Sequence, residues 1–262
     1  METIAATLDE ISGEDPANIP MPPTFATVTE ERAYRKQRVA AGYRVLARFG
    51  LDEGIAGHIT ARDPGATDQF WTAPFGRVRA SHLILVDGEG KVVEGEGRLN
   101  RAAFAIHSAI HEARPDVVGA VHAHGLHGKS FSSLHKILAP LTQDSCAFYG
   151  THGLYADYSG VVLDPEEGRR IAASLGGGKA VILANHGHLT VGQTVDAAIW
   201  WFVTMERSFQ AELLARAAGD PVVLDDETAR ATAEMMGHED VGWFAFQSIW
   251  ERIIAEQPDL TE

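Results

Sequence analysis

The feature that most constrains this chain is a short apolar run, used twice, that stops at a histidine beside a glycine. Val118-Gly119-Ala120-Val121 leads into His122-Ala123-His124-Gly125, and Ala180-Val181-Ile182-Leu183-Ala184 leads into Asn185-His186-Gly187. Short runs with β-branched residues and turn signals at their ends read as buried strands. Side chains alternate faces along a strand, so His122 and His124 project to the same side and can be offered to one ion. Two protein nitrogens seldom fill a metal site, and His186 is the candidate third ligand. Alone, an H-x-H at a strand end reads equally well as a polar cap facing water. The second strand-histidine-glycine unit tips the reading to a metal.

Histidine is plentiful here, with 12 in 262 residues, so each needs its own argument. The rest of the composition excludes more than it identifies. A formal charge of −14 argues against nucleic acid or an anionic membrane as partner. No window holds the roughly 18 uninterrupted apolar residues of a membrane span, and the N-terminus lacks a basic-then-apolar signal. The lone cysteine, Cys146, excludes an intrachain disulfide and suits a reducing compartment, so a cytoplasmic location is expected.

Residues 1–25 are acidic and then proline-rich, without periodicity, and read as a flexible arm before a single domain over 26–262. Thr27-Val28-Thr29-Glu30 has capping-box spacing and predicts a helix, with Val39, Tyr43 and Leu46 as its buried stripe and Gly50 as its stop. Ile59 and Ala61 alternate with Thr60 and Arg62 in a half-buried strand. A strand running into a turn is expected over 69–76, and a hairpin over 83–94 around Asp87-Gly88-Glu89-Gly90. Asn100 caps a helix that Pro115 ends, and a weak helix is expected over 125–136. Leu141 to Tyr149 reads as a further strand. Asp164-Pro165-Glu166-Glu167 starts another helix, and Thr194 a long one closed by Gly219. Of the adjacent Trp200 and Trp201, one is expected to meet a partner chain, because both cannot face one core. Residues 222–262 are predicted to form a helical C-terminal extension with Trp243, Phe246 and Trp250 on its apolar face. Strands alternate with helices but hairpins intervene, which predicts a mixed, largely antiparallel sheet. His107 and His111, at i and i+4, look like a helical metal pair. They lack the glutamate and the third ligand of such motifs and read as packing histidines.

The order of these features resembles the class II aldolase/adducin family. It runs from Gly57-His58-Ile59-Thr60 through Asn100-Arg101-Ala102-Ala103-Phe104 and Ala113-Arg114-Pro115-Asp116 to His122/His124, Asn185-His186-Gly187 and the long aromatic helix, covering roughly residues 30–220. The resemblance implies a three-layer α/β/α sandwich with a central, mostly antiparallel mixed sheet. It implies a divalent metal, Zn(2+) or Fe(2+), on His122, His124 and His186, and a homotetramer, usually cyclic, with active sites at subunit interfaces.

The departures matter more than the match. Sugar-phosphate aldolases of this family carry a K-P-S-S-E-like segment whose glutamate is the acid/base and whose serines bind phosphate. Here Ala103 stands at the glutamate's position and Arg101-Ala102 at the serines', while Gly57-His58 replaces the glycine-asparagine of the first phosphate loop. Proton abstraction needs a base within reach, which alanine cannot supply, and a phosphate dianion needs more donors than remain. A non-phosphorylated, small carboxylate substrate is therefore expected. His58 and His152 are the candidate catalytic residues, with Gly57, Thr60, Gln143, Tyr149 and His188 as candidate substrate contacts. Gln143 and Tyr149 would act from a neighbouring subunit.

Three functions follow. The first is a metal-dependent lyase cleaving a C–C bond in a 2-oxo or hydroxy acid. The second is an Fe(II)-dependent oxygenase that decarboxylates aromatic 2-oxo acids, similar to a subgroup on this fold and favoured by the missing glutamate. The third is a non-catalytic, adducin-like binding head, against which the three retained histidines argue.

Overall fold

The computed structural model describes residues 20–74 and 78–262. Helix α1 (Val28–Arg48) begins where Thr27 Oγ1 accepts from the Glu30 N–H and the Glu30 carboxylate accepts from the Thr27 N–H, the reciprocal cap the sequence predicts. Just ahead of it, Phe25 lies 5.1 Å, ring to ring, from Tyr34. Most of the expected N-terminal arm, residues 1–19, and the last two residues of the strand-and-turn expected over 69–76 lie outside the described residues.

Among the described residues eight strands follow in the order β1 (His58–Arg62), β2 (Phe70–Thr72), β3 (Ile84–Val86), β4 (Val92–Glu94), β5 (Gly119–Ala123), β6 (His152–Tyr155), β7 (Ala180–Leu183) and β8 (Gly187–Gly192). They form one sheet, β4-β3-β2-β1-β5-β8-β7-β6, in which every neighbouring pair is antiparallel except β6 with β7. This is the mixed, mostly antiparallel α/β sheet expected. The remaining helices are α2 (Arg101–Ala113), α3 (Leu126–Ser132), α4 (Gln143–Cys146), α5 (Pro165–Leu175), α6 (Val195–Ala218), α7 (Asp226–Met236) and α8 (Glu239–Glu256).

The sheet separates two cores because adjacent strand residues face opposite ways. Ile59 and Val121 pack with Val39 and Leu46 of α1, Ile199 and Phe202 of α6, and Phe246 of α8. Ala120, Leu189 and Val191 pack on the other face with Ile106 and Ile110 of α2 and Ile171 and Leu175 of α5. Helices therefore cover both faces, which gives the three layers. Among the described residues no helix is long and apolar enough to cross a membrane.

One expectation fails. Residues 141–149 do not form a strand: Thr142 Oγ1 accepts from the Ser145 N–H and Ser145 Oγ from the Thr142 N–H, closing the one-turn helix α4. Phe148 then packs into the α6 side, 6.1 Å from the Trp201 ring. A local cap wins over β propensity where the first residues, Thr142 to Ser145, are polar. The tryptophan pair divides between two packing environments within the chain. Trp201 is buried and Trp200 packs, half-buried, at the edge of two cores. This is open to both because α6 is enclosed by the sheet on one side and α8 on the other.

Candidate metal centre

β5 and β8 pair so that His122 stands opposite Leu189 and Ala123 opposite His188. This brings the end of β5 beside the β7–β8 turn that holds His186. Ring centroids of His122, His124 and His186 lie 4.7 to 5.1 Å apart. One ring nitrogen from each falls within 4.8 Å of the others. Three nitrogens bound to one ion at ~2.1 Å sit roughly 3.4 Å apart, so small side-chain adjustments close the set.

The cluster fits a metal on a second count. His122 is fully buried, its Nδ1 donates to the His188 carbonyl at 2.8 Å, and its Nε2 has no hydrogen-bond partner. A buried lone pair without a donor is costly unless an ion takes it, and a second-sphere carbonyl on Nδ1 is how ligand imidazoles are aimed. Burial first, and then the neighbouring rings, push His122 well below the ordinary histidine range. Burial and His124 push His186 down to about 4, and burial lowers His124. All three are therefore neutral near pH 7 and ready as ligands.

Backbone geometry sets His186. Asn185 adopts φ 56°, a left-handed conformation that asparagine tolerates better than most residues. Its N–H reaches the Ser132 carbonyl, and its side-chain amide lies 2.9 Å from His135 Nε2. Gly187 follows at φ 154°, where a Cβ would come 3.3 Å from the Ala123 carbonyl oxygen. His124 is steadied from its far side. The buried carboxylate of Glu206 on α6 accepts the His127 and Gly128 N–H groups, both at 2.8 Å, at the start of α3.

His58 neighbours the centre as expected. It pairs with His122 across β1 and β5, and its ring lies 4.7 Å from that of His122. It lines a cavity of about 590 Å³ together with Gly57, Ile55, Leu99, Phe104 and Ala103. The cavity wall is mixed: Leu46, Leu99 and Phe104 stand beside Tyr43, Asp52, Asn100 and two arginines. Of its arginines, Arg44 is bound to Asp259 at 2.7 Å and Arg48 to Glu256 at 3.2 Å.

Other candidates fall differently. Thr60 is buried, and its hydroxyl is shared between His107 Nδ1 at 2.7 Å and His111 Nε2 at 2.9 Å, so it is committed to the protein. His188 faces the opposite side of the sheet, stacked 4.0 Å over Phe202, and serves His122 through its backbone carbonyl alone. His152 stands level with Ala180 at the start of β6, at the opposite end of β7 from His186. Its Nδ1 donates to the Phe148 carbonyl, and its Nε2 accepts from the Leu138 N–H, which leaves neither nitrogen for chemistry. Tyr149 donates to Asp226 at 2.5 Å, and the Gln143 amide lies against Met236. None of these three joins the histidine cluster within one chain.

Sequence reasoning missed three contributors. Tyr158, with its ring 6.4 Å from that of His186, sits in a loop with no motif to mark it. His107 and His111 are buried as packing histidines should be, yet they bond to His58 and Thr60. Their i, i+4 spacing was visible, whereas the partners on β1 were not.

Comparison with known proteins bears on the fold as a whole. A family profile described as "Class II Aldolase and Adducin N-terminal domain" matches residues 37–213. Decarboxylase NovR of Streptomyces niveus is 45% identical over 245 residues, 91% of each chain. A 4-hydroxy-3-prenylphenylpyruvate oxygenase/4-hydroxy-3-prenylbenzoate synthase of Streptomyces roseochromogenus subsp. oscitans is 44% identical over 91% of this chain and 88% of its own. Among solved structures, an L-fuculose 1-phosphate aldolase from Glaciozyma antarctica PI12 superposes with a TM-score of 0.85 and 46% identity, covering 92% of this chain and 96% of that one.

Proposed function

Because the chain belongs to the class II aldolase and adducin family, we propose that it is a metal-dependent enzyme that cleaves the C–C bond beside the carbonyl of a non-phosphorylated 2-oxo acid with an aromatic side chain. The observation that supports this most is the placement of Ala103. It lines the same cavity as His58, where a sugar-phosphate aldolase would need its glutamate. Of the residues that line the cavity, Arg44 and Arg48 are each already engaged by a carboxylate.

His122, His124 and His186 would hold the ion, zinc or iron, and three neutral imidazoles leave it its full positive charge. When bound, it supplies Lewis acidity toward an oxo-carboxylate. Beside His58, Leu99 and Phe104 would receive an apolar substrate tail, and His58 is positioned to accept or return a proton. Oxidative decarboxylation, with dioxygen consumed, is favoured over a simple aldol cleavage, because it needs no carboxylate base at position 103. The names of the two Streptomyces relatives point the same way. The family's homotetramer would bring Gln143 and Tyr149 of one subunit toward another's centre.

Metal analysis of protein purified without chelator, joined to oxygen uptake with 4-hydroxyphenylpyruvate and a panel of other 2-oxo and 2-hydroxy acids, tests this reading. One iron per chain and substrate-dependent oxygen uptake are expected. Zinc with acid cleavage and no oxygen uptake would replace the oxidative reaction with a lyase. Full metal occupancy surviving His124→Ala would refute the centre itself.

A further inference from the structure

The loop between β6 and α5 carries a tyrosine whose backbone is pinned and whose side chain is left open. The root of the loop is tied to the strand that delivers a metal ligand. There the Ala184 N–H donates to the Tyr155 carbonyl at 2.9 Å, two residues ahead of His186. The Tyr158 N–H turns back onto the Ala156 carbonyl at 3.1 Å. Glu167 on α5 then clamps the turn from both sides. It is buried, and its two carboxylate oxygens accept separately from Ser159 Oγ at 2.8 Å and from the Tyr155 hydroxyl at 3.4 Å. Beyond the turn, Val162 is buried in the core that α2 and α5 share. A buried carboxylate is costly unless its oxygens find donors, and here the donors are residues that bracket Tyr158.

Tyr158 itself is 49% exposed, and its hydroxyl has no hydrogen-bond partner among the described residues. A fixed backbone with an unengaged side chain is a contact made ready in advance for a ligand. Its place along the centre says which part of a ligand. The rings of His58, His122, His186 and Tyr158 follow one another, with centroids 4.7, 4.7 and 6.4 Å apart. His58 ends this series at the cavity that holds Leu99 and Phe104, whereas Tyr158 lies beside His186 and does not line that cavity. An acid whose side chain enters the cavity beside His58 directs its other end, the carboxylate, toward the His186 side. The arginines of the cavity are engaged by Asp259 and Glu256, so a neutral hydroxyl is the donor on offer there.

The geometry points to Tyr158 as a substrate-binding residue whose hydroxyl donates to the carboxylate of the acid held at the three histidines, with Glu167 as the positioning residue that fixes it through Ser159 and Tyr155. This role rests on the proposed 2-oxo acid chemistry of the centre. A hydrogen bond to a charged acceptor is among the stronger ones a neutral side chain can make.

Calorimetric titration of zinc-loaded protein with 3-(4-hydroxyphenyl)lactate, the 2-hydroxy counterpart of 4-hydroxyphenylpyruvate, reads the contact without turnover. Tyr158→Phe removes only the hydroxyl and is expected to weaken binding about tenfold while one zinc per chain is retained. Glu167→Gln is expected to weaken binding severalfold in the wild-type background. In the Tyr158→Phe background it should add no more than about twofold, because a positioning residue acts through the side chain it places. Ser159→Ala breaks the same link from the loop should the glutamine variant fold poorly. Wild-type affinity in Tyr158→Phe would overturn the contact, and so would a loss of zinc in that variant, which would make the tyrosine a support of the ion. Equal losses from Glu167→Gln in both backgrounds would overturn the positioning role. A wild-type protein that holds zinc but binds neither this acid nor its 2-oxo counterpart would instead sink the proposed substrate class, an outcome read before any variant is made.

Discussion

At the scale of single residues, the centre depends on positions that never touch an ion. His186 is delivered by Asn185 in a left-handed conformation that costs roughly 1–2 kcal/mol for an ordinary L-residue and less for asparagine. Asn185→Ala is therefore expected to lower stability by about 1 kcal/mol and to weaken metal binding, while Asn185→Gly retains most of both. Chemical denaturation and metal titration of the two variants, side by side, check this. Equal behaviour of alanine and glycine would show that the conformation is not what positions His186. His122 offers a parallel lesson, since the carbonyl that fixes its tautomer belongs to His188, whose own ring points away.

At the scale of elements, α3 matters out of proportion to its seven residues. Its first N–H groups end on the buried Glu206 carboxylate, and a Cβ on Gly125 or Gly128 would collide with that side chain at 2.6 and 2.8 Å. Removing the carboxylate strands two buried donors, each worth about 1–3 kcal/mol. Glu206→Ala is thus expected to destabilise the metal-free protein by several kcal/mol in urea unfolding. It should also weaken metal affinity, because the His124-Gly125 segment loses its anchor. A variant with wild-type affinity would separate α3 from the centre. None of this was legible in the sequence, where Glu206 reads as one more residue of a long amphipathic helix. What was legible shares a mark: a strand whose apolar run ends at a histidine and a glycine, or a helix opened by Thr27 or Asp164 with a side-chain cap. Periodicity and caps are local, so β1, β5, β7, α1 and α5 could be read in one dimension. The pairing of His58 with His107, 49 positions apart, is set only when α2 lies down on the sheet.

At the scale of the whole molecule, the interior holds more neutral imidazole than most folds tolerate. Burial pushes His107 and His111 down to about 3 and His188 to about 4, against an ordinary 6.5. Each folded-state value is depressed, so the unfolded chain binds protons that the folded chain refuses. Stability is full above pH 6.5 and is lost as pH falls toward 4 and then 3. Each ring contributes a slope of up to ~1.4 kcal/mol per pH unit in that window. Urea midpoints of the metal-free protein are expected to drop clearly between about pH 7.5 and about pH 5. Equal midpoints would mean that these rings are charged in the folded state. Two apolar cores, one on each face of the sheet, were foreseeable from the alternation of apolar and polar positions. The band of histidines trapped between one of them and the strands was not.

As metal ligands, the three histidines would also act as a clasp. His124 and His186 stand 62 positions apart, and the chain between them holds α3, α4, β6, α5 and β7. An ion held by both closes that stretch into a ring. By the entropy of loop closure alone, a cross-link of that span is worth about 4 kcal/mol, comparable to a disulfide that this single-cysteine chain cannot form. Metal supply would then set how long the fold survives as well as whether it can react.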